Sequence, residues 1–321
     1  MFVFARDYKR ILNGDLDDEI LKSRSLIISD HMGGFDVGLY NSLLNYLEIL
    51  NFKGIIETEY IITDELRNRY KKLKLQFSLY NSTHFQILDQ LIDYNIHPEI
   101  KYKNFVCSFN GSPHVSRQLL TSMMEKFDIF DSNYSSKNFK NTYNQINGQL
   151  ENLGLSSTQK RMYGKFLSDN DKFLNTLYSF DYTRYDHANN ISTLETKITE
   201  SFVHIVSETM STSYYPFVTE KFLYSIVTRG LFVSYAQPNW HFFLEKYYGF
   251  KKYNKIFDYS FDSIQNPIER IIKMMEMILK FSKLSIHDWN DLYLMEQDTI
   301  EYNYDHYFSK RYMEHLKKYE N

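Results

Sequence analysis

Short apolar runs alternate with amphipathic stretches along most of this chain. Ser25-Leu-Ile-Ile-Ser29 predicts a buried strand, and apolar residues from Leu39 to Leu50 recur at helical spacing. Gly54–Ile62 predicts a second strand, Asp64–Lys72 a short helix and Leu75–Tyr80 a third strand. Thr83 is then placed to cap a helix running to Ile92. A second series starts with a strand at Phe105–Phe109, a helix from about Ser116 to Phe127 and a short strand at Ile129-Phe130. Residues 131–195, rich in Asn, Ser, Tyr and Asp, show little period; helices are expected only at Lys160–Leu167 and Lys172–Leu177. Ser201-Phe-Val-His-Ile-Val206 predicts another buried strand. After it come a polar loop, a helix from Phe222 stopped by Gly230, and a strand from Leu231 to Tyr235. A helix at Trp240–Tyr248, a strand near Tyr253–Phe257, a long helix from Pro267 to Leu284 and charged helical sequence from Ile286 to Tyr319 complete the pattern.

Strands alternating with helices predict an α/β fold with parallel, doubly wound sheets. Two such series in tandem predict two Rossmann-like domains facing across a cleft. Their expected extents are 1–100 and 101–285, with helices of 286–321 crossing back to the first domain. At 321 residues and 43% hydrophobic content the chain is long enough to build both cores. Its 28 tyrosines and 25 phenylalanines, with abundant Asn, Ile and Lys, fit an AT-rich coding sequence. A net charge of −3 does not mark the whole chain as a polyanion binder. The single cysteine, Cys107, lies in an apolar run and reads as a buried thiol. Charge appears too early after Met1 for a secretory leader, and charges interrupt every long apolar run, so no membrane span and a cytoplasmic location are expected.

The polar loop is the most chemically suggestive segment. Glu208-Thr-Met-Ser-Thr-Ser-Tyr-Tyr-Pro-Phe-Val-Thr-Glu-Lys221 sets carboxylates, tyrosines and a lysine between a strand and a helix, where α/β units bind ligands. It contains no Gly-rich phosphate loop, so side chains and a helix N-terminus would have to hold a phosphate. The segment resembles the donor-binding motif of the family 10 glycosyltransferases, the α1,3/α1,4-fucosyltransferases. The matching residues are Glu208, Thr209, Tyr215, Val218, Thr219, Glu220 and Lys221. A second stretch, Phe105-Val-Cys-Ser-Phe-Asn-Gly-Ser-Pro-His-Val-Ser-Arg117 and on to Phe127, is similar to the family's strand, Asn-rich turn and Arg-led helix. The two stretches span roughly residues 104–135 and 200–260.

The resemblance implies a GT-B fold, a nucleotide-sugar donor and no metal cofactor. It makes Arg117 a ligand of the donor diphosphate and Glu220 an acceptor of ribose hydroxyl hydrogen bonds. The residues themselves suit these tasks. Arg117 can grip phosphate oxygens bidentately, and Lys221 is a point charge that stabilises a leaving diphosphate. The plainer alternative makes Arg117 and Lys221 exposed partners of surface ion pairs, and Glu220 a helix-start acid behind Thr219 as N-cap. Tyr215 can stack on a donor or merely pack. Glu208 faces the expected cleft, and Asn110 with the Gly111-Ser-Pro113 turn can offer donors to phosphate or only turn the chain.

Sugar transfer with inversion needs a general base at the acceptor hydroxyl. Asp30 follows the first strand directly and is the first candidate. His31 is a second base or orienter, and Asp36 doubles as a helix cap. The ten histidines are scattered without metal-ligand spacing. Arg67-Asn-Arg-Tyr-Lys-Lys-Leu-Lys74 and Ser309-Lys-Arg311 are local basic clusters, either solvated faces or tracks for a polyanion. The expected activity is therefore a metal-independent glycosyltransferase. Its acceptor is either a glycan or a hydroxymethylated pyrimidine in phage DNA. The alternative is a glycosyltransferase-like protein that binds without catalysis.

Overall fold

The computed structural model of the protein describes residues 1–4, 7–29, 37–58, 61–78, 88–139, 156–174, 177, 186–209 and 218–320. The fold is mixed α/β with parallel sheets. The first sheet contains β1 (Phe2–Phe4), β2 (Ser25–Ser29), β3 (Ile55–Thr58) and β4 (Lys74–Phe77), paired in that order. Between its strands run α1 (Tyr8–Leu12), α2 (Asp17–Lys22), α3 (Val37–Ile49) and α4 (Asp64–Arg69). Thr63 caps α4, its hydroxyl accepting the Leu66 N–H at 3.2 Å.

A strand order without reversal, built from right-handed crossovers, places the connecting helices on one face. Burial agrees. Leu26, Ile28, Ile56 and Thr58 point into a core, whereas Ile55 on the opposite face is 40% exposed. Among the described strands the first sheet is thus wound on one side, which corrects the doubly wound expectation for this half.

The second sheet is assembled differently. β5 (Asn104–Cys107) continues past Ser108 into β6 (Phe109–Asn110). β6 pairs on one side with β7 (Ser136–Lys137), while β5 pairs on the other with β8 (Ser201–Ser207), followed by β9 (Phe232–Tyr235). The chain therefore goes outward to β7 and returns across β5 to β8, reversing direction. All seven residues of β8 are buried, as a central strand covered on both faces requires.

Around this sheet lie α5 (Val115–Lys126), α6 (Ser157–Asp169), α7 (Asp171–Leu174), α8 (His187–Thr199), α9 (Lys221–Val227), α10 (Trp240–Tyr248) and α11 (Pro267–Leu279). The C-terminal α12 (Ile286–Met295), α13 (Gln297–Phe308) and α14 (Arg311–Lys317) complete it. α8 falls where little period was expected. Its buried apolar residues are Ile191, Leu194 and Ile198, diluted by polar neighbours.

Two expected strands are absent. Ile129-Phe130 follows Asp128, whose φ of 56° ends α5, with the Ile129 N–H returning to the Met124 carbonyl at 3.0 Å. At 253–257 the buried pair is Tyr253 and Phe257, joined by a Phe257 N–H to Tyr253 carbonyl bond of 2.9 Å. That is the i, i+4 spacing of a helical turn, not the i, i+2 spacing of a strand. The long helix expected to reach Leu284 stops at Leu279 and gives way to turns.

Buried apolar side chains form two clusters. One is built from residues 3–73; the other takes in the second sheet, its helices and the C-terminal helices. Ile61, Phe77, Leu88 and Leu91 join the second cluster, and Ile62 packs against both. The C-terminal helices hold the segment after Leu88. Tyr307 donates to the Leu88 carbonyl at 2.7 Å, and Tyr304 to the Ile96 carbonyl at 3.2 Å. Arg229 donates to that same Ile96 carbonyl, lies 3.5 Å from the Tyr304 ring centre and pairs with Glu301.

Candidate functional site

Reversal of strand order opens a crevice at the carboxyl ends of the two strands on either side of it, and in parallel sheets ligands bind there. Here those strands are β5–β6 and β8. The first leads through the turn before α5, which carries Ser116 and Arg117; the second ends at Glu208 and Thr209. Sequence positions far apart are thereby brought to one place.

Glu208 is fully buried. One carboxylate oxygen accepts the Thr219 N–H at 3.1 Å and the other the Thr219 hydroxyl at 2.7 Å. Lys221 Nζ donates to that Thr219 hydroxyl oxygen at 2.8 Å and lies 3.6 Å from Glu220. On the other side Ser116 donates its hydroxyl to the Glu208 carbonyl at 2.6 Å, tying α5 to the end of β8. Arg117 donates to the Thr209 hydroxyl and to the Ser112 carbonyl, both at 3.4 Å. Two cations are thus each held by a threonine hydroxyl, Arg117 by Thr209 and Lys221 by Thr219.

Burial raises the Glu208 carboxyl above its ordinary range, against the opposing pull of Lys221 and the two Thr219 hydrogen bonds. For Glu220 burial also pushes upward, but Lys221, the backbone N–H, Arg117 and His187 outweigh it and hold the carboxyl low. Glu220 is an anion set among cations.

Arg117 is only 6% exposed, which overturns its reading as a surface ion-pair residue. Thr219 does not cap α9; its hydroxyl is committed to Glu208, and Glu220 occupies the cap position without a side-chain capping bond. Asn110 is buried and donates to Ser108 Oγ at 3.0 Å and to the Ser136 carbonyl at 3.3 Å, so it ties β6 to β7. Asp30, His31, Asp36 and Tyr215 lie outside the described residues.

Three contributors were not anticipated. Ser116 precedes the arginine and carries no signal of its own. His187, first residue of α8, meets the Tyr224 hydroxyl at 2.9 Å, and Asn190 reaches the same hydroxyl at 3.3 Å. Burial lowers the His187 pKa while Glu220 raises it. A small pocket beside Lys221 is lined by Phe109, His204, Ser207 and Tyr224, with Leu194 and Val206 behind. Ser207 Oγ is buried there without a hydrogen-bond partner among the described residues. His204, buried and bonded to Ser225 Oγ at 2.7 Å, has its pKa lowered to about 3 by desolvation, so it lines the pocket as a neutral ring.

A second grouping only looks catalytic. His241 Nδ1 lies 2.8 Å from Asp262, but Nε2 accepts the Ser234 N–H at 3.0 Å. Asp262 also accepts the His241 and Phe242 N–H groups, so the pair closes the start of α10 above the left-handed Asn239. With both ring nitrogens engaged, it is structural.

No family model matches the chain, and neither the curated proteins nor the solved structures contain a match to it. Among the described residues no helix is long and apolar enough to cross a membrane.

Proposed function

We propose that this protein is a nucleotide-sugar-dependent glycosyltransferase of the GT-B type, resembling the family 10 enzymes, which transfers a sugar to an acceptor hydroxyl with inversion and without a metal. One observation carries the reading. Arg117 and Lys221 are each held by a threonine hydroxyl, on the segments that follow the two strands where the strand order reverses.

A departing nucleoside diphosphate develops negative charge on its bridging and terminal oxygens. Two cations fixed before the reaction stabilise that charge without reorganising. Arg117 supplies a planar fork for phosphate oxygens and Lys221 a point charge. Glu220, held ionised by its neighbours, is fitted to accept hydrogen bonds from ribose hydroxyls. The general base belongs to the acceptor side, with Asp30 the first candidate and His31 and Asp36 behind it.

Arg67, Arg69, Lys71, Lys72 and Lys74 are all exposed. They favour a polyanionic acceptor, hydroxymethylated DNA, as a second reading beside a glycan. Thermal melting with GDP, UDP, dTDP and their sugars tests the donor. The matching nucleotide raises the midpoint by mass action, and Arg117→Ala and Glu220→Ala abolish the rise. A flat response to every nucleotide overturns the proposal. Salt-dependent binding to duplex DNA separates the two acceptors, and binding without transfer to either would leave a non-catalytic binding protein.

A further inference from the structure

Glu208, though expected among the donor ligands, is fully buried, and both its carboxylate oxygens are taken by Thr219. We infer that Glu208 is a positioning residue, which sets Lys221 for an anionic diphosphate through the Thr219 hydroxyl without touching the ligand. This inference rests on the diphosphate reading of the site and assigns roles within it.

The direction of the hydrogen bonds carries the argument. A threonine hydroxyl has one proton to give. Lys221 Nζ can only donate, and the Glu208 oxygen 2.7 Å away accepts the Thr219 hydroxyl's hydrogen bond, so the Thr219 oxygen turns its lone pairs to Lys221 Nζ at 2.8 Å. The chain from ammonium to hydroxyl to carboxylate therefore has one polarity, and Lys221 is left with protons for a ligand. The Thr219 N–H, bonded to the other carboxylate oxygen, fixes the backbone from which the hydroxyl projects. Ser116 anchors the Glu208 carbonyl, so the same strand end that aims Lys221 also carries Thr209, the partner of Arg117. The spacing of the two cations is set at one place.

A glutamine at 208 keeps the size but breaks the polarity. Its amide must donate to the Thr219 oxygen or set its N–H groups against the Thr219 N–H. Valine at 219 keeps the shape and deletes the relay, whereas serine keeps the relay. Lys221, Glu220 and Tyr248 are the titratable groups that act on or respond to the Glu208 charge, and burial holds its carboxyl above the usual range.

The test is calorimetric titration of the full chain with inorganic pyrophosphate between pH 5 and 9, with melting curves as a check on folding. Wild type is expected to bind. Thr219→Val weakens binding about tenfold, the scale of a hydrogen bond to a charged group, while Thr219→Ser restores it. Glu208→Gln also weakens binding and removes the acid limb that wild type shows as Glu208 takes up a proton. Ligand protonation is common to both proteins and cancels. If Glu208→Gln does not fold, the Thr219 pair decides alone.

Wild-type affinity and pH profile in both Thr219→Val and Glu208→Gln would overturn the positioning role and leave the diphosphate reading standing. No pyrophosphate binding by wild type at any pH would overturn both.

Discussion

The two sheets of this protein bury different things. Among the described residues the first 100 positions bury only two polar side chains, Thr58 and Thr63. The region around the second sheet buries Ser108, Asn110, Arg117, Lys137, His204, Glu208 and others. Among the described residues the first sheet runs in order without reversal and is covered on one face; the second reverses and encloses β8 completely. Burying polar groups costs free energy unless hydrogen bonds offset it. Among the described residues that cost is met repeatedly around the second sheet, in part at the crevice where strand order turns back, and hardly at all around the first.

The largest expected effect tests whether the two cores are energetically separate. Phe202 is fully buried and stacked against Phe105 and Trp289, so Phe202→Ala is expected to cost about 3–5 kcal/mol. Ile28→Ala in the first core is expected to cost about 2–5 kcal/mol. Both tryptophans, Trp240 and Trp289, belong to the second core, so their fluorescence reports on that core alone. In urea, Phe202→Ala lowers the fluorescence midpoint. Ile28→Ala lowers the circular-dichroism midpoint and leaves fluorescence in place. Equal shifts in both signals for Ile28→Ala would show one cooperative unit, and the contrast between sheets would lose its thermodynamic meaning.

The next effect is smaller and depends on pH. His204 is buried between β8 and α9, and desolvation lowers its pKa to about 3. The unfolded chain takes up a proton as pH falls below about 6.5, and the folded chain does not until about pH 3. The contribution of a neutral His204 is therefore present above the unfolded value and is lost as pH falls through that window, at most about 1.4 kcal/mol per pH unit. His204→Asn flattens the slope of the fluorescence midpoint against pH. An unchanged slope would mean that the imidazole is hydrated in the folded protein.

The strands and helices that were legible share a property: their apolar residues, periodic in the helices and continuous in β8 and β9, match what is buried. β2, β3, β8 and β9, with α3, α10 and the start of α11, are marked by apolar residues on the face that tertiary packing uses. The failures have identifiable causes. α8 buries Asn190 and Thr199 along with its three apolar residues, so its buried stripe is partly polar. Tyr253 and Phe257 offered β-forming residues whose i, i+4 separation belongs to a turn. β1, α1 and α2 are too short to carry a period.

At the site, the Glu208–Lys221 segment was legible from its place between a strand and a helix, and Arg117 joined it only through the family resemblance. Their division of labour was not legible. That Thr219 would turn to Glu208 depends on the approach of the start of α9 to the end of β8, and that Ser116 would anchor the Glu208 carbonyl on the approach of α5, which no local pattern encodes. His187 was illegible for the same reason, since its partner Tyr224 comes from another helix.

The smallest expected effect is the sharpest test of the one-sided first sheet. Ile55 points away from the core of that sheet and is 40% exposed, whereas its neighbour Ile56 is fully buried. Adjacent residues of one strand, identical in chemistry, thus differ only in which face they occupy. Ile55→Thr keeps the β-branch and removes apolar surface that already meets water, so urea unfolding followed by circular dichroism should shift by about 0.5 kcal/mol or less. Ile56→Thr places a hydroxyl in an apolar core and should cost several-fold more, on the order of 2 kcal/mol. Equal, large losses at both positions would mean that both faces are packed in solution. The first sheet would then share the two-sided enclosure of the second, and its scarcity of buried polar groups among the described residues would no longer follow from having only one face to bury.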